Sequence, residues 1–157
     1  AITDLAKRRV GALIVIEQRT GLGDIINTGT LIEGRISAPL IENIFEPNTP
    51  LHDGAMIIRD NKIVSAGCLL PLSKNLEISK ELGTRHRAAV GVTETSDALA
   101  VIVSEETGRI SYALDGKIHI GITERQLNAL LGEKLLIPEK KKRFFKRSKN
   151  EVTNGEK

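Results

Sequence analysis

Two short apolar runs constrain the fold of this chain more than any other feature. Residues 11–17, GALIVIE, and residues 98–104, ALAVIVS, are rich in β-branched side chains and too short to be typical helices. Each is therefore predicted to be a buried strand. Because aromatic residues make up only 3% of the chain, Ile, Leu, Val and Ala must build the core around these strands.

Further segments predict two β-hairpins and three helices. The hairpins are residues 55–70, turning at Asp60-Asn61, and residues 108–121, turning at Asp115-Gly116, where the turn residues tolerate positive φ. The helices are residues 1–9, residues 37–45 with Ser37 as N-cap, and a helix that follows the capping box of Thr123 and Gln126 and ends at Gly132. Strands and helices mixed without strict alternation predict a single α/β domain with a mixed sheet.

Charge is distributed unevenly along the chain. Residues 139–157 carry eight Lys or Arg against three Glu, whereas the preceding residues carry 15 basic and 17 acidic side chains. A nearly neutral body argues against a general nucleic-acid-binding surface. Residues 138–157 are predicted to be a basic, disordered tail that aids solubility, and a weak contact with an anionic membrane surface is the alternative.

The sequence shows no sign of secretion or of a membrane span. No apolar run approaches the ~20 residues that cross a bilayer, and no signal peptide opens the chain. The single cysteine, Cys68, excludes an internal disulfide and fits a reducing compartment. Because the first residue is Ala1 rather than Met, we expect an excised or processed fragment.

The segment LHDGA, 51–55, places an imidazole and a carboxylate directly before a glycine at the start of a predicted strand. His52 and Asp53 are ligands that Mn²⁺ accepts, and Mg²⁺ prefers the carboxylate oxygen. The alternative is an ordinary turn, in which Asp53 caps its own backbone and Gly54 supplies a positive φ.

The segment GTRHRAA, 83–89, crowds three side chains that can carry positive charge into one turn. If Thr84 caps a helix, the free N–H groups and two guanidinium groups would converge on an anion, for which phosphate is the natural candidate. Successive helical residues diverge by ~100°, so Arg85 and Arg87 would not face the same point, and one could reach a second molecule. The alternative is a solvated helix start with two surface arginines.

Local pattern leaves two segments undecided. Gly91 and the β-branched residues between 90 and 95 disfavour a helix over 83–95. Residues 104–108, SEETG, are typical of a polar turn after a strand. The chain has no Walker A loop, no G-x-G-x-x-G fingerprint and no serine nucleophile elbow, which excludes the common nucleotide sites.

Four motifs in order, LHDGA, CLLPLS, ELGTRHRAAVG and VSEETG, strongly resemble the diadenylate cyclase (DAC) domain, particularly the membrane-anchored CdaA type of Gram-positive bacteria. The resemblance covers residues 1–137 and leaves out the basic tail. Such enzymes join two ATP molecules into cyclic di-AMP and release two pyrophosphates. The fold implied is a twisted mixed sheet flanked by helices, with a helix over 83–95.

The resemblance also implies roles for individual residues. Asp53 would bind a metal ion, Mn²⁺ or Mg²⁺ or else Co²⁺, or accept the proton of the attacking 3′-hydroxyl, and His52 would be a second metal ligand. The catalytic residues implied are Asp53, Arg85, His86 and Arg87. The substrate contacts implied are Gly54 and Ala55, Leu69 and Leu70 at the adenine, Thr84, Arg85 and Arg87 at the phosphates, and Ser104 and Glu106 near the triphosphate and metal.

The product of such an enzyme contains two identical bonds related by a two-fold axis. The resemblance therefore implies a homodimer in which each protomer holds one ATP, so a monomer would bind ATP and make nothing. It further implies a cytoplasmic domain anchored by N-terminal membrane helices absent from this chain, with regulatory partners at the membrane. The alternatives are a regulatory module that binds ATP or cyclic di-AMP without catalysis, and an interaction domain whose basic tail docks on a membrane.

Overall fold

The computed structural model describes residues 1–135 and builds them around a seven-stranded mixed sheet. The strands are β1 Ala12–Ile16, β2 Thr30–Arg35, β3 Ala55–Arg59, β4 Lys62–Cys68, β5 Leu99–Val103, β6 Ile110–Leu114 and β7 Lys117–His119. Their order across the sheet is β2-β4-β3-β1-β5-β6-β7. β1 and β3 run parallel, and the other neighbouring pairs are antiparallel. The predicted α/β class with a mixed sheet is confirmed.

The two apolar runs become the neighbouring strands β1 and β5 at the centre of this sheet. Ile14 pairs with Val101, and every residue of both strands is buried. Within β1, Leu13 and Val15 belong to the main core cluster, whereas Ile14 points to the opposite face, as alternation along a strand requires. A strand buried on both faces needs apolar side chains at successive positions, which explains the runs.

Both predicted hairpins are present, and their turns have the expected backbone. Asp60 and Asn61 adopt φ angles of 49° and 59° between β3 and β4. Asp115 and Gly116 adopt 51° and 74° between β6 and β7. Two successive residues with positive φ match the right-handed twist of the flanking strands.

The helices of the described part are α1 Ile2–Lys7, α2 Gly23–Ile26, α3 Ala38–Phe45 and α4 Thr84–Glu94, together with residues 124–135. At the start of α3, the Ser37 hydroxyl accepts a hydrogen bond from the Leu40 N–H at 3.3 Å, so the predicted cap is confirmed. Neither α2 nor β2 was predicted, because the sequence between residues 20 and 35 lacks clear periodicity. β2 is an edge strand with mostly exposed side chains.

Helix α4 forms although its sequence has weak helical propensity, because its packing favours the helix. It lies against β1, β5 and β6, and Ala89 and Val92 are fully buried in the main core cluster. Its other face meets the segment after β4: a Cβ at Gly91 would collide with the Pro71 carbonyl, and the Ser73 N–H donates to the Arg87 carbonyl at 3.0 Å. Small residues in α4 therefore allow close contact on two sides.

The chain contacts define two units, Ala1–Thr123 and a second that begins at Glu124. Within the second, residues 124–135 are helical, so the helix does not end at Gly132 and that prediction is wrong. The predicted basic tail, 138–157, lies outside the described residues. No helix among residues 1–135 is long and apolar enough to cross a membrane.

Candidate active site

A cleft of about 880 Å³ opens where β1 and β3 begin and where β4 and β5 end. We call this edge of the sheet the cleft end. The N-terminus of α4 reaches it as well, because Gly83, Thr84, Arg85 and His86 line the cleft. Three segments far apart in sequence thus meet there: residues 52–54, residues 83–86 and residues 103–107.

Gly54 fixes the corner at which the chain enters β3. Its φ is 98°, and a Cβ would lie 2.6 Å from the Cys68 carbonyl oxygen and 2.8 Å from the Gly67 carbonyl carbon. Any side chain here would be strained and would also push β3 away from β4. Glycine therefore lets Asp53, which is exposed, sit at the mouth of the cleft directly beside the sheet.

The His52 ring is oriented by a neighbouring backbone group. Its Nδ1 lies 2.6 Å from the Thr49 carbonyl oxygen, which can only accept, so Nδ1 carries the proton and donates. In the neutral form of the ring, the other nitrogen, Nε2, then has a free lone pair. Such a backbone contact is the usual way a histidine is prepared to bind a metal.

The start of α4 differs from the prediction in one respect. Gly83, not Thr84, is the N-cap, and no side chain caps the helix; Thr84 is its first helical residue. The first N–H groups of an α-helix have no partner within it, and the helix dipole is positive at this end. Because these residues line the cleft, the helix start favours an anion there.

Arg85 is the cation nearest to this helix start. Its Nη1 lies 3.5 Å from a Glu105 carboxylate oxygen, and the side chains are 22% and 66% exposed, respectively. Its Nε is buried and has no hydrogen-bond partner among the described residues. Because its single ion pair is long and part of the side chain is exposed, the guanidinium can bind a further anionic partner.

His86 follows Arg85 and is a neutral side chain rather than a third cation. It is buried, and burial together with the adjacent Arg85 charge lowers its pKa, against the smaller effect of Glu106, which raises it. The three crowded basic residues therefore supply two positive charges at neutral pH.

Most of the residues implied by the sequence line this one cleft: His52, Asp53, Gly54, Leu69, Leu70, Thr84, Arg85, His86, Ser104 and Glu106. Ala55 and Arg87 do not line it. Ala55 is fully buried in β3, and Arg87 is half-buried with no side-chain hydrogen bond or ion pair within residues 1–135. Leu69 is 71% exposed, so it forms an open wall.

The cleft also includes residues that the sequence analysis did not select: Leu13, Cys68, Leu72, Glu81, Leu82, Ala88, Val103, Glu105, Thr107, Arg109, Ser111 and Ile120. Leu13, Val103 and Ser111 come from strand positions that local pattern marks only as core. Glu105 stands inside the motif SEETG, which was the available signal.

Two side chains in this cleft could serve as ligands of a metal ion. Among the described residues, no group of three or more His, Cys, Asp or Glu side chains could hold one alone. The Nε2 of His52 and the Asp53 carboxylate fit Mn²⁺, and a Mg²⁺ ion commonly keeps waters and uses one or two carboxylates plus substrate phosphates. The residues present therefore fit an ion whose coordination the substrate completes.

Comparison with known proteins identifies the family of this chain. Residues 1–118 match the DAC family, "DisA bacterial checkpoint controller nucleotide-binding". "Cyclic di-AMP synthase CdaA" of Bacillus subtilis is 56% identical over 131 residues, covering 83% of this chain and 48% of that protein. "Diadenylate cyclase" of Listeria monocytogenes is 49% identical over 138 residues, covering 88% and 50%. The chain thus spans about half the length of these relatives.

Solved structures agree with the fold. DacA from Staphylococcus aureus, crystallised as a double mutant, has a TM-score of 0.84 and 54% identity, covering 85% of this chain and 89% of that one. A "hypothetical membrane spanning protein" from Bacillus cereus has a TM-score of 0.75 and 52% identity, covering 78% and 60%. On this evidence the chain belongs to the DAC family.

Proposed function

We propose that this chain is the catalytic domain of a diadenylate cyclase, which condenses two ATP molecules into cyclic di-AMP and two pyrophosphates. One observation carries the proposal: the motifs around Asp53, Arg85 and Ser104 meet in one cleft of a chain that is 49–56% identical to proteins with that activity in their names. The cleft combines anion-binding groups, metal ligands and apolar walls, and an ATP molecule requires all three.

The triphosphate is proposed to lie at the start of α4. The free N–H groups of the first turn and the Arg85 guanidinium would neutralise its charge, and Thr84 adds a hydroxyl there. The neutral His86 can donate a hydrogen bond to a phosphate oxygen without adding charge. Leu69 and Leu70 offer the apolar wall for the adenine.

The metal ion is proposed to be Mn²⁺, Mg²⁺ or Co²⁺, held by His52 and Asp53. When bound, it would neutralise phosphate charge and favour ionisation of the attacking hydroxyl. Asp53 holds the ion or accepts the proton of the 3′-hydroxyl. Ser104 and Glu106 line the same cleft, where the Ser104 hydroxyl can donate to the triphosphate and the Glu106 carboxylate can face the metal ion.

Each reaction step forms one bond and breaks one. The 3′-oxygen of one ATP attacks the α-phosphorus of the other, the bond between the α- and β-phosphates breaks, and pyrophosphate leaves. Because the second step repeats the first with the roles exchanged, we propose that two protomers face each other, each holding one ATP. Arg87, outside its own cleft, is the residue proposed to reach the opposite ATP.

The full-length protein is proposed to be membrane-anchored, with this domain in the cytoplasm and regulatory partners at the membrane. Support comes from the relatives, about twice as long as the matched region, and from the Bacillus cereus protein, which is named a hypothetical membrane spanning protein. No nucleic-acid partner is proposed, because the described body has no general basic surface.

The test is to incubate the purified chain with ATP and Mn²⁺, then with Mg²⁺ or Co²⁺, and to detect cyclic di-AMP by mass spectrometry. The specific rate should rise with protein concentration, because the active form is a dimer. Absence of product with all three metals at high protein concentration would overturn the proposal. ATP binding without product would instead support a regulatory module.

A further inference from the structure

The polar contacts of Arg85 do not explain where its guanidinium lies. Its one ion pair among the described residues is the long contact with the exposed Glu105, and exposed pairs contribute little to holding two flexible side chains. Its Nε has no partner within residues 1–135. Hydrogen bonding therefore does not account for the position of this long side chain.

Gly11, immediately before β1, provides the space that the guanidinium fills. A Cβ on Gly11 would lie 2.5 Å from Arg85 Nη1, 2.7 Å from Cζ and 3.2 Å from Nη2. These are the three atoms nearest to that Cβ, and all belong to one guanidinium. The φ of Gly11 is not positive, so its backbone would accept a side chain without strain.

We propose that Gly11 is a positioning residue for Arg85. The missing side chain lets the guanidinium lie against the backbone at the start of β1, where it faces the triphosphate; the inference rests on the proposed function in this respect. Because a guanidinium is the mobile end of a flexible side chain, a methyl group at position 11 would displace Arg85 and leave the sheet in place.

The experiment compares Gly11→Ala with the matched control Gly23→Ala, at a position where a Cβ meets no atom within 4 Å. In the presence of Mn²⁺, Gly11→Ala should raise the Kd for ATP about 10- to 100-fold, the effect of losing a hydrogen bond to a charged group. Gly23→Ala should change this Kd less than about twofold, because a surface substitution that disturbs no contact has a small effect. Thermal unfolding should be similar for both variants.

A double-mutant cycle separates positioning from damage to β1. In an Arg85→Ala background the obstacle to a Cβ at position 11 is gone, so Gly11→Ala should have no further effect on the Kd for ATP. Equal weakening in both backgrounds would mean that the backbone of β1 is disturbed, and it would overturn the inference. So would a Gly11→Ala variant that binds ATP like the unmodified chain.

A chemical readout keeps the inference independent of the proposed function. Phenylglyoxal modifies exposed guanidinium groups, and displacement from Gly11 should make Arg85 react faster, as measured by mass spectrometry of the peptide. If the unmodified chain binds no ATP, the proposed function fails. The rate of Arg85 modification alone then decides whether Gly11 positions Arg85. An unchanged rate in Gly11→Ala would overturn the inference.

Discussion

Charged residues have many partners at one end of strand β1 and few at the other. At the far end, which we define by Glu17, Arg59 and Asp97, charged groups are paired within the protein. Glu17 accepts hydrogen bonds from Arg59 at 2.8 and 2.9 Å and from the Leu22 N–H at 2.9 Å. The Asp97 carboxylate accepts from the N–H groups of residues 19 and 20. These contacts tie the loop that follows β1 to the end of β3 and to the turn that precedes β5.

At the cleft end, charged groups of the same kinds have few partners. Arg85 has one long ion pair and an unpartnered Nε within the described residues, and the His52 ring keeps one nitrogen available. Pairing at the far end stabilises the fold, whereas unused hydrogen-bonding capacity at the cleft end is what a charged ligand needs. The pKa of Glu17 reflects this contrast: burial raises it, but the hydrogen bonds from Arg59 and Leu22 outweigh burial and lower it.

The strongest test of the contrast is Asp53→Asn, which should abolish function without affecting the fold. We expect cyclic di-AMP formation to fall about 10²- to 10⁴-fold, because the variant loses a metal ligand or a proton acceptor. The melting temperature should not fall, since Asp53 is exposed. The control is Asp60→Asn in the β3–β4 turn, where Asn accepts the positive φ. Mass-spectrometric initial rates measure both; full activity in Asp53→Asn would reject its role.

The two arginines of α4 should differ in what they contribute. Arg85→Ala should weaken ATP binding about 10- to 100-fold, because a charged hydrogen bond is lost. Arg87→Ala should leave ATP affinity nearly unchanged and lower turnover, because Arg87 does not line its own cleft and is proposed to act across the dimer. Calorimetric titration with ATP, alongside turnover, distinguishes the two. Equal loss of affinity in both variants would argue that both serve the same ATP.

At the far end, Glu17→Gln should cost stability and spare the cleft. We expect the free energy of unfolding to fall by about 1–3 kcal/mol, the range for hydrogen bonds to charged groups. The matched control is Glu46→Gln, whose pair with Arg8 is about half exposed on both sides, so its loss should leave the stability nearly unchanged. Urea denaturation measures both variants. An unchanged stability in Glu17→Gln would show that the far end is not held by this pair.

The smallest effect concerns pH. Burial lowers the pKa of His86 below the ordinary value of 6.5, so the unfolded chain binds a proton before the folded one does as pH falls. Stability from this group is therefore present above pH 6.5 and is lost progressively as pH drops below it, by at most about 1.4 kcal/mol per pH unit. His86→Gln should flatten this part of the stability curve in metal-free buffer, whereas the exposed His119→Gln should retain it. If the dependence of stability on pH is unchanged in His86→Gln, a group other than His86 causes it.

The fold was predictable where the determinants are local. The apolar runs of β1 and β5 and the positive-φ pairs at both hairpin turns can be read directly from neighbouring residues. Helix α4 was not, because its propensity is poor and the helix depends on contact with the sheet and with Pro71. The end of the last helix was not predictable either, because Gly132 is a local stop signal and the helix nevertheless continues to residue 135.

The candidate site was likewise predictable only where its features are local in sequence. The chemical types at residues 52–54 and 83–87 are visible in sequence, and helical geometry separates Arg85 from Arg87. Their meeting with residues 103–107 depends on strand order, which was not predicted; only the resemblance implied that these motifs share one site. Gly11 could not be identified at all, because its significance lies in the atoms that it leaves room for, some 74 positions along the chain at Arg85.

The position of β1 in the sheet also has a consequence for folding kinetics. β1 lies near the start of the sequence, whereas its neighbours β3 and β5 lie much later in the sequence. Pairings between such distant segments raise the contact order and slow folding towards milliseconds or seconds. The cleft requires both pairings, so the proposed ability to bind nucleotide is expected to arise late on the folding pathway. Nucleotide binding should therefore report completion of the sheet during refolding.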